Sequence, residues 1–128
     1  MMKTIIRTTV LIFLMACHHY FQDDSKIKAF LPGTYVNIAE GEFSKAIDTL
    51  LIQKEGLDGN TYSIIRKVSF QRIKEGVMQN KEYQTEQWIG IYDERDKVLH
   101  ETKRGRTLTY VPDESKLYLG NAEYEKVQ

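Results

Sequence analysis

Few residues in this chain are of types that carry chemistry, and their spacing forms no familiar constellation. The 128 residues include one cysteine and three histidines, and 18 basic side chains balance 18 acidic ones. Cys17 is followed directly by His18 and His19, whereas His100 stands alone far along the chain. The sequence contains no serine-hydrolase, zinc-protease or phosphate-binding motif. We therefore predict that the protein is not an enzyme and has no catalytic residue, metal site or cofactor.

The stretch before Cys17 has the parts of a secretory signal. Lys3 and Arg7 form a basic head, and residues 10–16 form an apolar run that ends on the small residue Ala16. A membrane-spanning helix needs about 20 apolar residues, and this run is much shorter. The pattern therefore predicts a signal peptide over residues 1–16.

The order Leu14-Met15-Ala16-Cys17 resembles the lipobox of bacterial lipoproteins. In that family the signal is cleaved before the cysteine, which then receives acyl chains such as palmitate. The resemblance implies that the protein is held on a membrane through an acylated Cys17, since more than one acyl chain gives stable attachment. An ordinary signal peptide and an uncleaved anchor are the alternatives.

Residues 17–30 begin with a polar stretch and are predicted to be a tether between the anchor and the folded domain. The acidic pair Asp23-Asp24 resembles a signal that sends some lipoproteins to the outer face of the outer membrane. A solvated linker, or the acidic start of a short helix over residues 25–30, is the alternative interpretation. Cleavage before Cys17 leaves 16 basic and 18 acidic side chains, a balance that indicates no nucleic-acid partner.

Residues 31–128 have the pattern of about seven or eight short strands joined by tight turns. The clearest is Thr61–Ile73, where apolar and polar residues alternate with the period of a strand. A sheet of this length must curl to bury one face, and closure removes its exposed edges. The sequence therefore predicts an all-β, antiparallel up-and-down meander. It forms a small barrel or a strongly curled sheet, lipocalin-like in shape, for which a filled interior is expected.

Arg66 lies in the middle of the predicted core face of Thr61–Ile73. A charge at such a position must be paired, must reach the rim, or must sit at a bulge, unless it faces a functional pocket. We predict that a ligand or partner would contact the larger side chains that share this interior, namely Tyr62, Arg66, Phe70, Trp88 and Tyr110.

The longest loop is predicted over Lys74–Lys81, with the apolar residues Val77 and Met78 at its tip. Such a tip commonly folds back over the end of a sheet, and contact with a partner is the alternative. His100 is interpreted as a residue on the face of a strand.

Short segments across the predicted domain resemble a group of small lipoproteins from Gram-negative anaerobes. These segments are Leu31–Val36, Asp48–Leu50, Tyr62–Lys67 and Glu101-Thr102. Proteins of this group are often encoded on conjugative elements. The resemblance implies a location in the cell envelope, at the outer membrane, and it carries over no active-site residue.

Taken together, these patterns predict a non-enzymatic, membrane-anchored lipoprotein that binds an envelope protein or supports an envelope assembly, with a link to conjugative transfer. The alternative function is that of a lipocalin-like carrier, which would hold a small apolar ligand inside the barrel.

Overall fold

The computed structural model describes residues 24–57 and 59–128. The predicted signal peptide, Cys17 and the first part of the predicted tether lie outside these residues. The described chain contains a helix α1 and eight strands, together with a 3₁₀ turn at Pro112–Glu114. Their bounds are α1 Asp24–Phe30, β1 Gly33–Glu40, β2 Ser44–Lys54, β3 Thr61–Lys74, β4 Val77–Asp93, β5 Val98–Glu101, β6 Thr107–Val111, β7 Lys116–Leu119 and β8 Ala122–Lys126.

The eight strands form a closed barrel in chain order, and every neighbouring pair is antiparallel. Closure is made between β1 and β8, where Tyr35 pairs with Lys126 and Val36 pairs with Glu125. The structure therefore confirms the predicted all-β meander and its closure into a small barrel.

The strands differ greatly in length, and this difference shapes the molecule. β1 to β4 have 8, 11, 14 and 17 residues, whereas β5 to β8 have 4, 5, 4 and 5. β4 pairs with β5 only over Gly90–Asp93, so the rest of β4 runs beyond the barrel. Residues 37–48 and 67–87 therefore form a sheet that projects from one end, and we call this sheet the extension.

Helix α1 closes the opposite end of the barrel. Ile27 and Leu31 are buried in the core, and the Tyr35 hydroxyl donates hydrogen bonds to the carbonyls of Phe30 and Leu31 at 2.7 and 2.9 Å. Residues 24–30, which the sequence assigned to the tether, therefore form a helix that packs on the barrel. The short-helix interpretation of this segment agrees with the structure.

The predicted loop over Lys74–Lys81 is also corrected. β3 and β4 are joined by a two-residue turn at Glu75 and Gly76, whose φ angles of 51° and 75° are both positive. This is the geometry that a tight hairpin requires. Val77 and Met78 consequently lie in β4 and are exposed, rather than covering the end of the sheet.

Gly90 lies inside β4, close to side chains of both neighbouring strands. A Cβ atom placed there would come within 3.0 Å of both Ile64 Cδ1 and Leu99 Cγ. These are buried side chains of the core, and they would have to shift by a few tenths of an ångström to admit a Cβ atom. Glycine at this position therefore leaves room for Ile64 of β3 and Leu99 of β5.

We predict that Gly90→Ala lowers the free energy of unfolding by about 1–3 kcal/mol, because overpacking displaces core side chains. Urea unfolding would measure the change. Gly41→Ala is the matched control, since its Cβ would meet only the Ser44 carbonyl at 3.8 Å. Equal stabilities for the two variants would show that the wall can accommodate a methyl group at Gly90.

Candidate functional site

The five side chains predicted to contact a ligand do not line one pocket. Tyr62 and Tyr110 are buried in the core, and the Tyr110 ring lies 6.5 Å from the ring of Phe30 in α1. Trp88 is also buried, with 1% of its surface exposed. Phe70 lies half-buried in the extension. The aromatic residues of the barrel thus pack its interior, whereas Phe70 lies beyond it.

Arg66 is paired within the barrel, at the level where the extension begins. Its Nε lies 3.0 Å from both carboxylate oxygens of Asp48, and its Nη2 lies 2.6 Å from Oδ2. Tyr124 donates its hydroxyl proton to the same Oδ2 at 2.7 Å. The bonds to Asp48 raise the pKa of Arg66, and burial, followed by the bond to Asp48, raises that of Tyr124.

The pairing of β3 is regular at Arg66, which faces Leu50 on one side and Glu86 on the other. Of the possibilities left open by the sequence, pairing is therefore the one that the structure shows, and the register shift in β3 lies between Gln71 and Ile73 instead. The ion pair accounts for the charge on the core face without a ligand.

Trp88 lies beside two arginines in the same layer. The Arg106 guanidinium is 4.0 Å from the centre of the Trp88 ring, and the Arg66 guanidinium is 5.8 Å away. Cations over an indole face are attracted by its electron-rich surface. This layer of stacked and paired charges separates the apolar core from the extension.

Glu101 holds the turn that follows β5. Its side chain is fully buried, and it accepts hydrogen bonds from the backbone amides of Lys103 and Arg104 and from Arg106 Nε at 3.3 Å. Burial by itself would raise the pKa of Glu101, but these hydrogen bonds outweigh it, and the pKa lies below its ordinary value of 4.5. A buried carboxylate thus fixes the β5–β6 turn beside Trp88.

A smaller cluster of potential metal ligands lies at the β4–β5 turn. Carboxylate oxygens of Asp93 and Asp96 and a ring nitrogen of His100 lie within 4.8 Å of one another. The sequence interpretation of His100 as isolated missed this grouping, because only the hairpin brings the three together. Asp93 accepts the backbone amides of Arg95 and Asp96 at 2.8 and 3.2 Å, so its carboxylate already has a structural role as the cap of the turn.

The extension carries five of the nine large apolar side chains that are exposed among the described residues. Large apolar side chains are exposed along it, and Phe43 and Tyr83 each keep 73% of their surface in solvent. Lys67 and Lys81 are exposed on the same outer face as Tyr83. An aromatic and aliphatic surface with lysines at its margins is typical of a protein-binding site. The exposed apolar residues of the extension are Ile38, Phe43, Val77, Met78 and Tyr83.

No protein-family model, curated protein or solved structure matches this chain. Within the described residues, none of the helices has the length and apolar character that crossing a membrane requires.

We predict that Glu101→Gln lowers the free energy of unfolding by about 2 kcal/mol at pH 7. The neutral amide oxygen of glutamine accepts weaker hydrogen bonds than the glutamate carboxylate does. A carboxylate whose pKa is lowered by folding adds stability above its ordinary pKa, and this stability is lost as the pH falls through the folded value. The difference between wild type and variant should therefore shrink below about pH 4.5. Urea unfolding across this range would measure it, and a difference independent of pH would contradict the role of the charge.

Proposed function

We propose that this protein is a non-enzymatic, lipid-anchored component of the cell envelope whose extension binds a partner protein. It would act as an accessory of an envelope assembly at the outer membrane. The resemblance to lipoproteins encoded on conjugative elements supports an assembly linked to DNA transfer.

The exposed apolar surface of the extension is the observation that carries this proposal. The barrel does not need the extension for closure, because β5 to β8 have only four or five residues each and β8 pairs with β1 only at Tyr35 and Val36. Val77 and Met78 are 61% and 52% exposed at its tip. Exposed apolar patches on a protein surface commonly mark a contact with another macromolecule.

The position of α1 supports the proposed orientation on a membrane. Asp24 Oδ1 accepts the Tyr92 hydroxyl proton at 2.7 Å and pairs with Lys97, and Lys28 pairs with Glu94. These contacts hold the start of the domain at the end of the barrel opposite the extension. The chain from Cys17 to Asp24 spans at most about 25 Å, so an acylated Cys17 would keep the α1 end near the lipid and leave the extension reaching outward.

The packed interior gives the alternative carrier function less support. Tyr62, Trp88 and Tyr110 fill the space in which a ligand would lie, and Ile27 and Leu31 close the α1 end. An eight-stranded barrel has room for one small ligand only where side chains leave the space open. We therefore favour binding through the outside of the molecule.

We predict that the chain incorporates an alkyne-tagged palmitate in cells and that Cys17→Ala abolishes the incorporation. Membrane fractionation of the same cells should find the native chain with the lipid and the variant outside the membrane fraction. Labelling that persists in Cys17→Ala, or a native chain without lipid, would contradict the anchor.

We predict that a photo-crosslinking phenylalanine analogue at Tyr83 gives a discrete protein adduct in living cells. Tyr118, on the outer wall of β7, is the matched control because it is also a tyrosine but lies outside the extension. Adducts would be identified by immunoblot and mass spectrometry. The same adducts from both positions, or none from Tyr83, would contradict partner binding through the extension.

A further inference from the structure

β4 leaves one side of its backbone unpaired among the residues that the structure describes. The pairing with β5 covers only Gly90–Asp93, and the Thr102 amide donates to the Ile89 carbonyl at 2.9 Å just beyond it. The next segment, Lys81–Gln87, pairs with β3 on one side and with no described strand on the other. We call this segment the free edge.

The direction of each backbone group along the free edge follows from its neighbours. The Tyr92 amide points toward β3, where it donates to Asn60, whereas the Ile89 carbonyl points toward the β5 side. Because successive residues of an antiparallel ladder alternate in direction, odd-numbered residues point away from β3. The amides and carbonyls of Lys81, Tyr83, Thr85 and Gln87 are therefore directed at the open side.

The side chains of the free edge differ in charge between its two faces. Glu82, Gln84 and Glu86 lie on the inner face, which continues the face of Trp88, and none of them is basic. Glu86 Oε1 is 3.3 Å from Arg104 Nη2, but its Oε2 is buried with no hydrogen-bond partner among the described residues. The inner face thus presents the carboxylates of Glu82 and Glu86, and Oε2 of Glu86 is a buried acceptor without a donor among the described residues.

We propose that the free edge is completed by an extended strand of a partner protein, which carries two basic side chains at the spacing of Glu82 and Glu86. Between these two basic residues, the side chains of the partner strand that point to the opposite face are apolar or aromatic, and they lie beside Tyr83 and Thr85 of the free edge. This inference rests on the proposed partner binding and names its mode, which is β-strand addition. Backbone hydrogen bonds supply the attachment, and the paired charges fix the register.

The charges favour a different protein over a second copy of this chain. If two copies pair antiparallel about a two-fold axis at Glu82, the two Glu82 side chains lie opposite each other. If the axis passes through Gln84, Glu82 of one copy lies opposite Glu86 of the other. A copy centred on Tyr83 avoids these contacts but sets Glu82 against Gln84, so the edge of the second copy brings no cation to either carboxylate. Arg104 already lies beside Glu86, but Glu82, Gln84 and Glu86 of a second copy are not basic, and two further cations must come from another sequence.

A pair of synthetic peptides tests this proposal on the full chain in detergent. The matched peptide, Thr-Lys-Tyr-Thr-Val-Lys-Thr with blocked ends, places both lysines on one face at the required spacing. The control, Thr-Tyr-Lys-Thr-Lys-Val-Thr, has the same composition but places the lysines two residues apart instead of four, so in no register can both lysines oppose Glu82 and Glu86. Fluorescence anisotropy should show the matched peptide binding about tenfold more tightly, as expected from two cross-strand charge pairs.

Three variants of the chain then assign the binding to the free edge. Thr85→Pro removes an amide that points away from β3, and edge strands tolerate proline at such a position. This variant should no longer bind the matched peptide. Glu82→Lys should weaken binding severalfold, whereas Glu125→Lys, the same charge change on exposed β8, should leave it unchanged. Equal affinity for the two peptides, no binding of either, or binding that survives Thr85→Pro would overturn the proposal.

Self-association and partner binding are separated by two further readings. A dimer in light scattering that Thr85→Pro converts to a monomer would overturn the proposal in favour of a second copy. If the crosslinked adduct at Tyr83 forms equally well in Thr85→Pro cells, strand addition fails while the proposed function stands. Loss of the adduct together with peptide binding supports both.

Discussion

Barrel closure over very short strands is the constraint on which the other features depend. β5 to β8 have only four or five residues each, so they can pair with β1 and β4 over a small part of those longer strands. The remaining parts of β1 to β4 are hydrogen-bonded to one another but do not take part in the closed barrel. The same chain therefore contains a closed, packed body and an open sheet, and the open sheet carries the exposed surface.

The layer of paired charges makes this division physically possible. Apolar side chains fill the barrel from α1 to Trp88, and above them Asp48, Arg66 and Tyr124 satisfy one another. Pairing Arg66 with Asp48 offsets the cost of placing a charge on the core face of β3. Glu101 adds rigidity by holding the β5–β6 turn against the layer. The extension thus begins beyond the layer of paired charges that covers this end of the core.

Short alternating segments and the tight turns between them were sufficient to predict the strands and their meander, because both are local features of the sequence. The partner of Arg66 was not predictable in the same way, since Asp48 lies on another strand and only the register brings them together. The Lys74–Lys81 loop was predicted wrongly because Glu75 adopts a positive φ that its residue type does not suggest. Helix α1 is too short for a periodic signal, and its burial depends on the shape of the barrel end.

Amide hydrogen exchange along β4, followed residue by residue by NMR in the full chain, distinguishes a folded sheet with an open edge from an unfolded or covered one. We expect slow exchange at Glu82, Gln84 and Glu86, whose amides bond to β3, and fast exchange at Tyr83, Thr85 and Gln87, whose amides face solvent. Rapid exchange at all six would show that the extension is not a folded sheet. Slow exchange at all six in the isolated protein would show that the edge is already covered, and the central claim would then be wrong.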